Sequence, residues 1–340
     1  MATKKVTSLE VAKLAGVSQS AVSRVFTPGA SASKKTEVKV QKAAKELGYR
    51  PNILARSLIT GRSRIIGLVV AHLDNYFYPE ALELLSNALQ KKGYHVLVFM
   101  VAKTAGSIDD VVDEILDYQV DGIILASVAM SSSLASRCTS AGVPVILFNR
   151  SQDDDTFSAI TSDNILGGKK IARFLVAGGH KRIGYIAGWE GASTQRDRET
   201  GFVEELKQHG MSLHAREVGN FIQDEARQAA RKMFTANEIP DAVFVASDHM
   251  AFAVMDVLRT EIGLKIPEQV SVVGYDDVPV SSWPAYDLTT IRQPANRMVA
   301  ETVSMILESI ENKNTKPRQI KIDGPLIMRG STRISTKLSK

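Results

Sequence analysis

The chain has one cysteine, Cys138, among 340 residues. That excludes a disulfide framework and any zinc site built on several cysteines, and it fits a reducing cytoplasm. No apolar run approaches the roughly 20 residues of a membrane span, and Met1 to Val6 is polar where an export signal would not be. A cytoplasmic protein that does not associate with membranes is therefore expected. Also missing are a glycine-rich phosphate loop, a dinucleotide fingerprint, a His-Glu-x-x-His pair and a nucleophile elbow. The one close Ser/Asp/His set, Ser247-Asp248-His249, is consecutive at a strand-to-helix junction, where adjacent side chains diverge. A helix cap is the expected reading there. Neither an enzyme nor an exported binding protein is expected, and no cofactor or metal.

What is present is unevenly charged. Met1 to Arg64 carries 13 Lys and Arg against 3 Asp and Glu, a net of +10, while the whole chain is +5, so the remainder carries −5. Positive charge concentrated in a short segment is the footprint of a polyanion, because each contacted phosphate releases condensed counterions. A solvated basic face is the plainer alternative, and charge alone does not decide between them.

The first sixty residues hold helix signals and no strand signal. Thr7-Ser8-Leu9-Glu10 reads as a capping box, in which hydroxyl and carboxylate satisfy the orphan amides of a first turn. Leu9, Val11, Ala12, Leu14 and Ala15 are expected to form that helix's apolar face, and Gly16 to end it in a turn that needs positive φ. Val17 is then an apolar plug, and Ser18 caps a second helix running through Phe26 with Val22 and Val25 inward. A third helix is expected over Lys35 to Leu47, burying Val38, Val40, Ala43, Ala44 and Leu47, with Gly48 as its stop. This is the spacing of a helix-turn-helix. The second helix exposes Gln19, Ser20, Ser23 and Arg24 on its first turns. Gln pairs bidentately with adenine and Arg with guanine, while hydroxyls take base edges or phosphates. A three-helix docking module has the same outline, and the charge favours DNA.

After Arg64 the pattern becomes short β-branched runs separated by amphipathic helices. One series comprises Ile65 to Ala71, His95 to Val101, Gly122 to Ala126 and Val143 to Phe148. A second comprises Ala159 to Ser162, Arg182 to Ala187, Ala215 to Val218, Ala242 to Ala246 and Val270 to Gly274, with Gln319 to Ile322 and Leu326 to Met328 completing the lobes. Continuous apolar strands alternating with helices predict parallel sheets covered on both faces, in two doubly wound lobes.

Several motifs make the reading specific. Val11-Ala12-Lys13-Leu14-Ala15-Gly16-Val17-Ser18 followed by Val22-Ser23-Arg24-Val25, and Leu47-Gly48-Tyr49-Arg50-Pro51-Asn52 followed by Ala55-Arg56-Ser57-Leu58, resemble the head and hinge of bacterial LacI/GalR-family regulators. The resemblance continues through Gly179-His180-Lys181-Arg182-Ile183-Gly184, Val272-Val273-Gly274-Tyr275-Asp276-Asp277, Leu288-Thr289-Thr290-Ile291 and Gly330-Ser331-Thr332-Arg333, covering nearly the whole chain. Thr27 stands where an asparagine is usual, which puts one phosphate contact in question. The fold implied is α/β: two doubly wound parallel-sheet lobes, periplasmic-binding-protein-like, preceded by an all-α helix-turn-helix head and a hinge helix. The expected boundaries are 1–50 for the head and 51–62 for the hinge. The N-terminal lobe takes 63–161 plus 291–320, the C-terminal lobe 162–290 plus 321–333, and a tail 334–340.

The resemblance also implies roles. DNA contacts fall on Thr7, Ser18, Gln19, Ser20, Ser23 and Arg24 in the head. In the hinge they fall on Asn52, Ala55, Arg56 and Leu58, with Leu58 as an apolar wedge in the minor groove. The segment from Asn52 to Thr60 is too short to persist as a helix alone, so an interdomain linker is the alternative reading. Effector contacts fall on Phe77, Tyr78, Arg150, Asp163, Thr194, Arg198, Phe221, Asp248 and Asp276, the alternatives being ordinary core for Phe77 and Phe221, a helix cap for Asp163 and Asp248, and a surface ion pair for Arg150. A carboxylate beside a guanidinium suits sugar hydroxyls, and Phe and Tyr suit an apolar ring face. Ala192 stands where some purine-responsive members carry a basic residue, and two cleft arginines lean toward a sugar or sugar acid. A near-palindromic operator read by a homodimer is expected, and no leucine heptad follows Arg333 to make a larger assembly. The function expected is that of an effector-controlled DNA-binding repressor.

Overall fold

A computed structural model of the chain describes residues 6–27, 30–50, 62–71, 73–100, 107–127, 132–152, 156–312 and 314–333. The chain divides into two compact units between Ser63 and Arg64.

The first unit is three helices, α1 (Ser8–Ala15), α2 (Gln19–Val25) and α3 (Lys34–Leu47). Each starts on a hydroxyl of its own: Thr7, Ser18 and Ser33 accept from the amides of Glu10, Ala21 and Thr36. Thr7 and Glu10 complete the capping box reciprocally. Gly16 and Gly48 end α1 and α3 in the left-handed region, at φ of +64° and +65°, where a side chain would be strained. The core of this unit is Val11, Ala12, Ala15, Val22, Val40, Ala43 and Ala44. Leu9, Leu14 and Val38 were expected inside, yet they are 50%, 48% and 62% exposed. At about 100° per residue, Leu9 and Leu14 flank the stripe centred on Val11, Ala12 and Ala15, and Val38 lies nearly opposite Val40.

The second unit contains two six-stranded sheets. The first is built from β1 (Ile65–Val70), β2 (His95–Met100), β3 (Gly122–Ala126), β4 (Val145–Phe148), β5 (Ser158–Ser162) and β11 (Gln319–Ile322), in the order β11-β5-β4-β3-β1-β2 and wholly parallel. The second is built from β6 (Ile183–Ala187), β7 (Ala215–Val218), β8 (Ala242–Val245), β9 (Ser271–Asp276), β10 (Thr289–Arg292) and β12 (Leu326–Ile327), in the order β12-β10-β9-β8-β6-β7. Its strands are parallel except β12, which runs antiparallel to β10. Central strands are buried along their length, as in β3 and β9, which is why they read as unbroken apolar runs. The helices between strands are α4 (Phe77–Lys91), α5 (Ser107–Asp117), α6 (Ser132–Ala141), α7 (Asn164–Ala177), α8 (Ser193–Gln208), α9 (Gln223–Phe234), α10 (Asp248–Asp256) and α11 (Ala295–Glu311).

Three expectations about the sheets change. The strand around Ala159, grouped with the second series, lies in the first sheet between β4 and the edge strand β11, in keeping with the expected 63–161 boundary. The Thr289–Arg292 strand was not foreseen, because a Thr-Thr start hides four residues of otherwise fully paired sheet. The lobes also exchange chain about two residues later than expected, after Arg292 and after Ile322.

Both sheets place their first five strands in one spatial order, 2-1-3-4-5 counted within each lobe. In that order the helices reverse side between strands one and three. A crevice opens there at the carboxyl ends of the strands.

Candidate functional site

In the head, α1, the Gly16 turn and α2 form the helix-turn-helix, with Val17 packed against the small core. Ser18, Gln19, Ser20, Ser23 and Arg24 are all exposed. Gln19 Nε2 donates to Ser8 Oγ at 2.9 Å, and the Ser18 and Ser20 hydroxyls lie 2.9 Å apart. The first contact ties the start of α2 to α1 and the second lies within the start of α2, while Arg24 and Ser23 sit one turn further along. Thr7 is exposed, with its hydroxyl 3.0 Å from Glu10 Oε2. Asn52, Ala55, Arg56 and Leu58 lie outside the described residues.

In the second unit a cleft of about 330 Å³, partly open to solvent, is lined by Asn75, Tyr78, Ser127, Asn149, Arg150, Thr194, Arg198, Phe221, His249 and Asp276. Asp276 is the last residue of β9 and the others lie on loops or helices that follow a strand's carboxyl end, as the crevice rule requires. Six residues assigned from sequence meet here: Tyr78, Arg150, Thr194, Arg198, Phe221 and Asp276.

Three others are placed elsewhere. Phe77 is core, its ring stacked on Phe148 with centroids 6.2 Å apart. Asp163 caps α7 through Leu166 N at 3.0 Å. Asp248 is fully buried behind the cleft, receiving Ser281 Oγ at 2.6 Å, Thr290 Oγ1 at 2.7 Å and Val278 N at 3.1 Å. It does not cap α10 either, since no side-chain cap is formed there. The Ser247 hydroxyl instead meets His249 Nδ1 at 3.1 Å.

Arg198 is held on every side. Gly168 in α7 and Gly201 in α8 let the two helices touch backbone to backbone: an added Cβ at Gly168 would lie 2.2 Å from Arg198 O, and one at Gly201 would lie 2.0 Å from Ile165 O. That close approach carries Arg198 across the cleft floor. Its guanidinium lies 3.7 Å from the Tyr275 ring centroid, donates to Asn164 Oδ1 at 2.9 Å and to the Ala246 carbonyl, and stands 3.5 Å from Asp276 Oδ1. Asp276 is 3% exposed, has a φ of +134°, and accepts from Gln293 Nε2 at 2.7 Å and Asn75 Nδ2 at 3.4 Å. Burial pushes its carboxyl above the ordinary range, opposed by Arg198. Burial likewise raises Asp248, to about 7, with the neighbouring Asp276 adding to it.

Arg150, 6% exposed, lines the same cleft. It donates to Thr194 Oγ1, to the Asn149 carbonyl at 3.3 Å and to Ser127 Oγ at 3.4 Å, all neutral groups. Burial lowers its pKa. Phe221 has a φ of +58° and covers Gly188, where a Cβ would be 2.2 Å from its ring. Its carbonyl faces His249 Nε2 at 2.9 Å. A carbonyl only accepts, so Nε2 carries a proton, and in the neutral ring Nδ1 accepts from Ser247.

Sequence reasoning missed Asn75, Ser127, Asn149 and His249. Ser127 and Asn149 sit directly after β3 and β4, and Asn75 lies in the loop five residues beyond β1, so applying the strand-end rule to every strand would have found them. His249 was set aside with its neighbours as part of a cap.

The arrangement is that of a two-lobed small-molecule sensor joined to a helix-turn-helix. Residues 8–52 match the family described as bacterial regulatory proteins, lacI family, and residues 172–332 match the periplasmic binding protein-like domain. The HTH-type transcriptional repressor PurR of Haemophilus influenzae (strain PittEE) is 30% identical over 330 residues, covering 95% of this chain and 98% of that protein. Two solved structures are similar over nearly the whole length. The transcriptional regulator CelR–cellobiose complex has a TM-score of 0.73 at 30% identity, covering 96% of this chain and 100% of that one. The lac repressor dimer bound to operator and the anti-inducer ONPF has a TM-score of 0.88 at 29% identity, covering 97% and 99%. The chain belongs to the lacI family of bacterial regulatory proteins: a DNA-binding transcription regulator with a ligand-binding domain, not an enzyme. Among the described residues no helix is long and apolar enough to cross a membrane.

Proposed function

We propose that this protein is a sequence-specific operator-binding repressor whose affinity for DNA is set by a small sugar or sugar-acid effector held between its two lobes. The observation that carries the effector reading is the buried Arg198–Asp276 pair facing the cleft, with Phe221 and Tyr78 beside it. A fixed carboxylate accepts two hydroxyls, the guanidinium donates to others, and the aromatic side chains cover an apolar ring face. The cellobiose held by the similar CelR supports a carbohydrate ligand.

Gln19, Ser20 and Arg24 read base edges in the major groove, while Thr7, Ser18 and Ser23 position the head on phosphates. The hinge at 51–62 carries Leu58 into the minor groove, with Asn52, Ala55 and Arg56 around it. Two copies act together on a near-palindrome as a homodimer in the cytoplasm. An exposed lobe edge supports the pairing: β2 ends its sheet, with Val98 44% and Met100 49% exposed.

The test uses duplexes selected from a random library by the wild-type protein. Arg24→Ala is expected to weaken binding by about 1–3 kcal/mol and to relax preference at one base position in each half-site. A variant that loses affinity equally on selected and random duplexes would show that Arg24 only touches phosphate.

A further inference from the structure

We infer that the ligand of this cleft carries a carboxylate, received by the free edge of Arg150. The inference rests on the effector reading of the cleft and narrows its chemistry. Arg150 is buried, lines the cleft, and has no carboxylate within ion-pair distance among the described residues. Asp276 is the acid whose charge reaches it, and Asp276 already faces Arg198. A buried guanidinium is ordinarily paired, because desolvating a lone charge is costly.

The geometry says where the partner belongs. One terminal nitrogen, Nη1, is occupied by Thr194 Oγ1 and the Asn149 carbonyl. The other edge is nearly idle: Nε has no partner, and Nη2 reaches only Ser127 Oγ at 3.4 Å. Nε and Nη2 together form the side-on fork that takes both oxygens of a carboxylate. Asn149 Oδ1, also buried and without a partner, belongs to a residue lining the same cleft and suits a hydroxyl of the same ligand. Helix α8 begins here too, at Ser193 just before Thr194, with Ala192 as a cap that offers no side-chain acceptor. The amide end of a 16-residue helix adds positive potential to the guanidinium.

Of the two nearby acids, Asp276 lines the cleft and already faces Arg198, while Asp248 is buried and receives Ser281, Thr290 and Val278. The lining therefore offers a carboxylate, Asp276, that accepts hydroxyls, and a second guanidinium, Arg150, that can receive an acid group. That matches a polyhydroxylated acid and not a neutral sugar. A single fork favours a carboxylate over a phosphate ester, whose second charge would go unmatched.

Isothermal titration calorimetry on the full-length protein tests this with matched pairs: D-galacturonate and D-galactose, D-glucuronate and D-glucose, and D-gluconate, with D-glucose 6-phosphate as a separate arm. At least one acid is expected to bind tenfold or more tighter than its neutral partner. In Arg150→Met that advantage should shrink below threefold, and Arg150→Lys should keep part of it. Melting of ligand-free Arg150→Met at or above the wild-type temperature would show that the arginine is not held for stability. Neutral sugars binding as well as acids, or an acid preference unchanged in Arg150→Met, would overturn the inference while leaving the carbohydrate reading intact. Tighter binding of the phosphate ester would overturn the carboxylate. Silence from every compound would remove the carbohydrate reading and the inference together.

Discussion

The head and the cleft solve the same local problem in opposite ways. In the head all three helices are capped by a hydroxyl immediately before them, so each N-terminus is satisfied within four residues of sequence. At the cleft, α8, α9 and α10 start without any side-chain cap, on Ala192, Ile222 and Ser247. Their first turns follow β6, β7 and β8, where a ligand sits in such a fold. A self-satisfied module can present a fixed surface to a partner, whereas a cleft meant to respond leaves some of its polar capacity for what it binds.

Breaking the cleft should cost most. Arg198→Ala leaves Asp276 buried without its cation and removes the donors to Ala246 O and Asn164. A loss of roughly 3 kcal/mol in core stability is expected, measured by urea unfolding, together with loss of any ligand-induced rise in melting temperature. Stability within 1 kcal/mol of wild type would mean the pair is not the cleft's anchor. The head should respond less. Ser18→Ala removes one cap and is expected to cost about 1 kcal/mol, read from thermal unfolding of the head followed by circular dichroism. Ser18→Asp, which caps equally well, should restore it; failure to do so would point to the contact with Ser20 instead.

The smallest effect concerns pH. Asp248 is held near 7 in the folded chain by burial, against about 3.9 for an unfolded aspartate. The folded state then binds a proton that the unfolded state has released, so this group's contribution to stability is full below pH 4 and is lost as pH rises toward 7. Asp248→Asn is expected to flatten that decline when unfolding is followed between pH 4.5 and 7. An unchanged slope would show that the three donors on Asp248 keep it ionised throughout.

The same contrast explains what could be read from sequence. Capping and turn signals are local, so Thr7, Ser18, Gly16 and Gly48 were legible before any coordinates. The strands with continuous apolar runs were equally plain. Cleft membership is a long-range property. Phe77 and Tyr78 are neighbours in sequence, yet a helix start turns one into the core and the other into the cleft. Asp248 and Asp276 both end or follow strands, but only the second lines the site, because Ser281 and Thr290 draw the first away. Exposed Leu9, Leu14 and Val38 failed for a simpler reason: a small three-helix core has room for one narrow stripe per helix.

The central claim is that occupancy of this cleft governs operator binding. It is tested most directly by fluorescence anisotropy of a selected operator duplex, titrated with the full-length protein in the presence and absence of a saturating sugar acid identified by calorimetry. The account predicts that the ligand changes the operator Kd at least tenfold, with the reciprocal change in ligand affinity when operator is present. A ligand that binds the cleft yet leaves the operator Kd unchanged would contradict it.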